Sequence, residues 1–585
     1  MARLPESSPR ELTPRALALG LLLAVLLGAA NAYLGLFAGL TVSASIPAAV
    51  VSMALLRLAG RATILENNIV QAIASAGEAV AAGAIFTFPA LVVLGWRPQD
   101  LSYWQMTLLC AVGATLGSLL VVFLRRAYVV EERLPFPEGV ACAEVLRAGE
   151  AGGVVLAPLL TGGVFSGGLK ALQDLAGVIP AAAGGARWLY DMSFAVSCDF
   201  SAALLGVGYL VGPSIAAIVL AGALLAWMIL VPLLSLYHPE LRHLAANAAA
   251  DALWRAQVRF VGVGAMLTGG LATLWRMRAP IGRALLRTRV TAYRSGDKAA
   301  ASDRDLPAAW VITAVLACIP VMAVLYAQVV GQWGLAIGLA PLLAAIAFFA
   351  CAVSGYLTGL VGASNNPVSG VTLIVVLAVA LFLKLLGSEA TAAPTLTILV
   401  SAVVATAAAM AGDSLHDLAT GYHVGATPRS LELAILVGAL ISAALIGPVL
   451  KLLLSVYGIA GMPHASNRAL AAPQAFLIAQ VVRGVFAGGL PWPMVGLGAL
   501  LALVLEYIDS RLAARASHWR TAAMPLAIGL YLPLGLSVTI ALGALAGWLA
   551  DQPSRRATLL AAGLVAGEAL VGVISAVFVT LGGHL

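Results

Sequence analysis

The chain has 585 residues, 61% of them hydrophobic and only 10% charged, with a mean hydropathy of +0.99. Soluble domains carry about a quarter charged residues, so this balance excludes a water-soluble globular protein. The formal net charge of +7, from 33 basic and 26 acidic side chains, bears on membrane orientation and not on nucleic acid.

The first fourteen residues, MARLPESSPRELTP, are polar. The apolar run behind them is too long for a signal-peptide core and shows no cleavage site, so it is read as the first span. Apolar runs then recur at 15–37, 40–58, 64–95, 103–125, 153–178, 199–236, 254–276, 307–329, 335–360, 368–387, 393–411, 432–456, 490–509, 522–549 and 556–580. Apolar runs of about 20 residues cross a bilayer as helices. These lack the period-2 alternation of barrel strands, and hydrocarbon offers no partner to open backbone. The 199–236 run, interrupted at Gly212–Pro213, is long enough to cross twice. The expected fold is an all-α polytopic membrane protein with about 14–16 transmembrane helices, some of them broken or re-entrant.

Between Trp275 and Leu306 lie eight basic residues against three acidic ones, in the longest hydrophilic stretch of the chain. The positive-inside rule places this 276–304 loop in the cytoplasm, and Arg3, Arg10 and Arg15 place the N-terminus there too. No folded module accompanies the loop to suggest nucleic acid. The five cysteines, Cys110, Cys142, Cys198, Cys318 and Cys351, are scattered without a CxxC and read as small buried residues.

Three sequence matches recur in the same order. Ala74–Glu78 parallels Ala409–Asp413 at an offset of 335. PEGVACAEVLR from Pro137 parallels PQAFLIAQVVR from Pro473 at 336, with Glu138 matched to Gln474. GVGYL from Gly206 and GALLAW ending at Trp227 parallel GLYL from Gly529 and GALAGW ending at Trp548, at 321 to 322. A weaker fourth pair joins YLGLFAG from Tyr33 to YLTGLVG from Tyr356. The expectation is a tandem duplication with halves of 1–290 and 305–585, as secondary transporters are commonly built. Whether the repeats run parallel or inverted stays open at this point.

Ionisable and amide side chains inside apolar runs are costly unless they face a partner or a wet cavity, so they point to function. In chain order they begin with Asn31 and Tyr33 in NAYLGLFAG, then Glu66, Asn67, Asn68, Gln71 and Glu78 in ILENNIVQAIASAGEAV. On a helix Asn67, Gln71 and Glu78 share one face; a plain helix end with helix–helix hydrogen bonds is the alternative. In LPFPEGVACAEVLR, Glu138 falls on the first turn of a Pro-started helix, where a carboxylate also suits the dipole. GLVGASNNPVSG carries Asn365 and Asn366 before Pro367, where freed backbone can hold polar substrate groups or small residues can pack closely. AGDSLHDLATGYH sets Asp413, His416, Asp417 and Thr420 at helical spacing, with a hydrated loop as the plainer reading. His416, Asp417 and His423 form too weak a pattern to name a metal site. There is no HExxH, no P-loop and no Arg-rich voltage-sensor pattern, and no cofactor is implied.

The blocks NAYLGLFAGLTVSASIPAAV, ILENNIVQAIASAGEAVAAGAIFTFPAL, LPFPEGVACAEVL, GLVGASNNPVSG, GDSLHDLATGYHVGATPR and GLYLPLGLSV resemble the signature blocks of the oligopeptide transporter family, which includes the yellow-stripe-like metal-chelate transporters. The resemblance covers nearly the whole chain and is closest to compact prokaryotic members. It implies a proton-coupled importer of about 16 spans that moves short peptides or peptide-like metal chelates, and no enzyme. The expected partners are a small-molecule substrate, protons and the lipid bilayer of the cytoplasmic membrane, with no nucleic acid; self-association is left open. Glu78, Asp413, His416 and Asp417 are expected to couple protons. Asn31, Tyr33, Asn67, Asn68, Gln71, Glu138, Asn365, Asn366 and Gln474 are expected to line the substrate cavity. A passive channel and a membrane-embedded enzyme with a His/Asp site remain as alternatives.

Overall fold

The computed structural model describes residues 11–39, 41–58, 60, 62–150, 156–174, 177–272, 275, 304–363, 366, 368–387, 392–462, 469–488, 491–515, 521, 523–550 and 554–581. Asn365, and the basic loop apart from Arg304, lie outside the described residues.

In chain order the helices are α1 (Pro14–Ala38), α2 (Ser45–Leu58), α3 (Ile64–Val93), α4 (Tyr103–Arg125), α5 (Pro137–Glu150) and α6 (Leu156–Asp174). A hairpin of β1 (Ala182–Leu189) and β2 (Met192–Asp199) follows. Then come α7 (Ala202–Val211), α8 (Pro213–Leu224), α9 (Val231–Tyr237), α10 (Ala246–Leu253) and α11 (259–272). Next are α12 (Ala308–Val330), α13 (Trp333–Val361), α14 (Val368–Leu385), α15 (Ala393–Val424) and α16 (Pro428–Val456). The chain closes with α17 (Pro473–Phe486), α18 (Trp492–Ala514), α19 (Ala523–Tyr531), α20 (Leu534–Leu549) and α21 (Arg555–Thr580). Among the described residues eleven helices are long and apolar enough to cross a membrane, α8 and α9 counting as one continuous span, Pro213–Tyr237, and α2, α7 and α20 are shorter apolar helices. The protein is a polytopic helical membrane protein, as its composition requires.

Three departures from the apolar runs have local causes. The 393–411 run stops at the first carboxylate, yet α15 continues to Val424 because the polar residues beyond it are buried among neighbouring helices. The 522–549 run is two helices, broken before Pro533, whose ring lacks the N–H a continuing helix needs. The β1–β2 hairpin was not foreseen from the sequence. It pairs Leu189 with Met192 across a two-residue turn, with Tyr190 and Asp191 both at positive φ as a type I′ turn requires.

Two compact units form, and each draws on both halves of the chain. The first unit holds α1 to α5 and α12 to α16, except that Leu36–Gly39 belong to the second. Its centre is a pair of helices buried on nearly every face, α3 and α15. Small side chains make this possible: a Cβ on Gly83 would overlap Thr406, and one on Gly77 would overlap Ala24. The contacts fix direction. Gln71 meets Asp417 while Gly83 meets Thr406, so α3 and α15 are antiparallel. Gly20 lies beside Ile73 and Gly28 beside Gly77, so α1 runs with α3. Cys351 Sγ donates to Ala407 O and Thr358 lies beside Gly412, so α13 runs with α15. The two-residue link Gly331–Gln332 makes α12 an antiparallel neighbour of α13.

Polar groups collect at one end of this unit. Glu11 accepts from Thr427, Arg15 pairs with Glu66 at 2.7 Å, and Arg125 pairs with Asp305 at 2.5 Å. Glu432 Oε2 accepts from Leu306 N at 2.8 Å. Thr63 and Glu66 form a capping box that starts α3 at this end.

The second unit holds α6 to α11, the hairpin and α17 to α21. Its helices cross through glycines. Gly208 meets Ile540 as Gly543 meets Leu205, and Gly222 meets Leu526 as Gly529 meets Val219. Shifting Gly208 and Gly222 by 321 residues gives Gly529 and Gly543, so the second crossing repeats the first at the sequence offset. Gly212, at φ 86, ends α7 just before Pro213 starts α8, where the sequence predicts the interruption.

Candidate functional site

The first unit carries a polar centre where α3 and α15 cross. From α3 come Asn68, Gln71, Ser75 and Glu78; from α15 come Asp413, His416, Asp417 and Thr420. All are buried except Asp413, which is half-buried. The hydrated-loop reading of Asp413–Thr420 does not hold: these residues sit in the interior of α15.

The start of α2 enters this centre. Its preceding backbone N–H, Ala44, donates to Glu78 Oε2 at 2.6 Å, so the Glu78 carboxylate faces the positive end of α2. Ser45 Oγ lies 3.3 Å from Asp417 Oδ1 and 3.3 Å from Ser75 Oγ. Gln71 Nε2 donates to the same Asp417 oxygen. Asp417 Oδ2 and Gln71 Oε1 are buried with no partner among the described residues, and so are both ring nitrogens of His416. Asn68, one turn below Gln71, has neither amide atom paired.

The start of α5 lies on the other side of α15. Gly139 approaches His416 O, and Thr420 Oγ1 donates to Gly139 O at 3.1 Å. Glu138 reaches Gly362, whose φ of 92 and missing Cβ are both needed: a side chain there would overlap the Glu138 carboxylate. Glycine at 412 opens a third flank. A Cβ at Gly412 would come within 2.5 Å of Asn366 Nδ2, 2.7 Å of Thr358 Oγ1 and 3.1 Å of Ser354 Oγ. Asn366 Nδ2 donates to Ser354 Oγ at 2.6 Å, while Asn366 Oδ1 and Thr358 Oγ1 are unpaired.

The remaining expected residues divide. Asn31 steadies the bend after α1, its Oδ1 accepting from Val42 N at 2.9 Å. Asn67 ties α3 to α2 through Ser52 at 3.1 Å, the helix–helix bond that the plainer reading described. Tyr33 is fully buried in α1. Gln474 is buried on α17, in the second unit. His423 is exposed, its carbonyl accepting from Arg147, and no cluster among the described residues is arranged to hold a metal ion.

The sequence reading missed Ser354 and Thr358, an i, i+4 pair of hydroxyls in an otherwise apolar run. It also missed a buried polar cluster in the second unit. There Lys170 pairs with Asp174 at 3.3 Å, and Glu568 accepts from Ser201 Oγ and Ala203 N, both at 2.8 Å. A lysine four residues before an aspartate, and a lone glutamate in the last apolar run, were the available signals. Outside the spanning helices, burial pushes the Asp199 carboxyl up to about 6, with the Glu568 charge adding to it.

Comparison with known proteins gives two matches. Residues 11–579 match a family model described as OPT oligopeptide transporter protein. A protein of Haemophilus influenzae named as a putative oligopeptide transporter is 34% identical over 592 residues, covering 93% of this chain and 92% of that protein.

Proposed function

The chain belongs to the oligopeptide transporter family, and from that premise we propose that it is a secondary-active, proton-coupled transporter of short peptides or peptide-like metal chelates. Membership of a transporter family removes the membrane-enzyme alternative. The observation that carries the proposal is the α3–α15 crossing. Two helices matched by the repeat bring Glu78, Asp413 and Asp417 into one buried, incompletely paired centre at the start of a third helix. Charged forms of carboxyls are disfavoured away from water, so such groups exchange protons as their surroundings change.

In this reading Glu78, Asp413, His416 and Asp417 carry the coupling proton. Asn68, Gln71, Glu138 and Asn366 face the substrate, Asn365 is assigned to it from the sequence alone, and Asn31, Tyr33 and Asn67 hold the frame around them. Gln474, the repeat counterpart of Glu138, has the same role in the second unit. The duplicated halves, 1–290 and 305–585, are inverted. Antiparallel α3 and α15 are sequence counterparts, and so are α1 and α13, each running with its own partner. Helix α12, which has no counterpart before α1, supplies the reversal. This keeps the N-terminus and the basic loop on one side, the cytoplasmic one, in keeping with the charges gathered at one end of the first unit.

Uptake into proteoliposomes of a mixed di- to hexapeptide pool, beside ferric chelates, tests the proposal. Accumulation that needs an imposed pH gradient and collapses with a protonophore is expected. Gradient-independent equilibration at channel rates would contradict it.

A further inference from the structure

The α3–α15 crossing holds more acceptor capacity than its described neighbours fill. Glu78 and Asp417 stand on opposite helices, and consecutive residues join them, Ala44 donating to the first and Ser45 lying against the second. Asp417 Oδ2 and Gln71 Oε1 remain unpaired in side chains 1% and 0% exposed. His416, 1% exposed, places Nε2 4.0 Å from Asp417 Oδ1 with both ring nitrogens unpaired. The neighbouring charges that bear on Glu78 are those of Asp413, Glu138 and Asp417, all acidic. Three arginines of this unit are engaged elsewhere: Arg15 on Glu66, Arg125 on Asp305, and Arg147 on His423 O.

An occupant should therefore bring positive charge and several donors together. A proton brings one donor. A metal ion needs several converging ligands, and no such group is arranged among the described residues. An ammonium has three N–H donors and no acceptor to satisfy. We propose that this crossing receives the protonated α-amino end of a peptide substrate, with Asp417 and Gln71 accepting its hydrogen bonds and Glu78 and Asp413 supplying the negative surroundings. The proposal rests on the peptide-transport reading above and names the end of the peptide that the first unit recognises. Among the described residues no lysine or arginine reaches the crossing to suit the peptide's carboxylate, so that end is not read here.

The test uses purified protein in proteoliposomes preloaded with tetra-alanine. Counterflow of labelled tetra-alanine is competed with unlabelled tetra-alanine, its N-acetyl form or its C-terminal amide. The N-acetyl form should compete at least about ten-fold more weakly, as loss of a charge-assisted hydrogen bond implies. The amide should compete as well as the parent. Asp417→Asn should narrow the gap between free and N-acetyl forms; if it does not fold, Gln71→Leu carries the same expectation. Equal competition by the N-acetyl peptide in the wild type overturns the inference and leaves peptide transport standing. A gap unchanged in a folded variant overturns its location. Absence of tetra-alanine counterflow in folded protein overturns both the peptide reading and the inference.

Discussion

Both units bury carboxylates, and they treat them differently. In the second unit Glu568 is satisfied at both oxygens, by a serine hydroxyl and a backbone N–H at the start of α7, and Asp174 has Lys170 one turn away. In the first unit Asp417 has one oxygen paired and one bare, beside an unpaired histidine and an amide with its oxygen free. A paired buried charge is explained by the fold that pairs it. An unpaired one costs free energy that no described partner returns.

Four outcomes would sharpen or break that contrast. The largest effect belongs to Glu568→Leu, which strands Ser201 Oγ and Ala203 N and should lower unfolding stability by about 3 kcal/mol, read as a fall in melting temperature in detergent. An unchanged melting temperature would mean the second unit's cluster is not structural.

Asp199→Asn comes next. The folded carboxyl titrates near 6, above the usual value of about 4 for an unfolded aspartate. The folded state therefore holds the extra proton between those values, and the wild type loses stability as pH rises through that window. Above pH 6 the asparagine variant should be the more stable by about 2.7 kcal/mol, the value of two pK units. Parallel stability–pH curves for the two proteins would dismiss this.

The third variant, Asn68→Leu, removes an amide with neither atom paired and should change stability by less than about 1 kcal/mol. It should nevertheless slow peptide uptake. A loss as large as that of Glu568→Leu would show that Asn68 has structural partners after all.

Finally, inversion of the halves is a question of sidedness. Cysteines placed at Arg304 and Gln332, at opposite ends of α12, should be labelled by an impermeant thiol reagent from the cytoplasm and from outside respectively. Labelling of both from one side would defeat the reversal assigned to α12.

Much of the architecture was readable because hydrocarbon leaves the backbone few options. Run lengths located α3, α14 and α21 within a few residues, and Gly212–Pro213 marked a real break. The hairpin escaped because its strands, AAGGARWL and MSFAVSCD, are neither strongly alternating nor joined by an Asn-Gly turn. The end of α15 escaped because hydropathy cannot distinguish a buried aspartate from a solvated one. At the site, helical spacing grouped Asn67, Gln71 and Glu78 on one face of α3, yet Asn67 bonds Ser52 of α2 while Gln71 meets Asp417 of α15. Spacing within one helix cannot report what faces it from another. The approach of Ala44, Ser45 and Gly139, and the hydroxyls of Ser354 and Thr358, thus became visible only in three dimensions.

The most direct test of the account is gradient-driven uptake by Asp413→Asn, with Glu78→Gln beside it. Asparagine keeps the shape of the protonated acid and removes its titration. The account predicts that the variants fold and still exchange tetra-alanine by counterflow, with weakened affinity, but no longer accumulate it when a pH gradient is imposed. Full gradient-driven accumulation by both variants would contradict it, and would make the carboxylates at the α3–α15 crossing part of the scaffold.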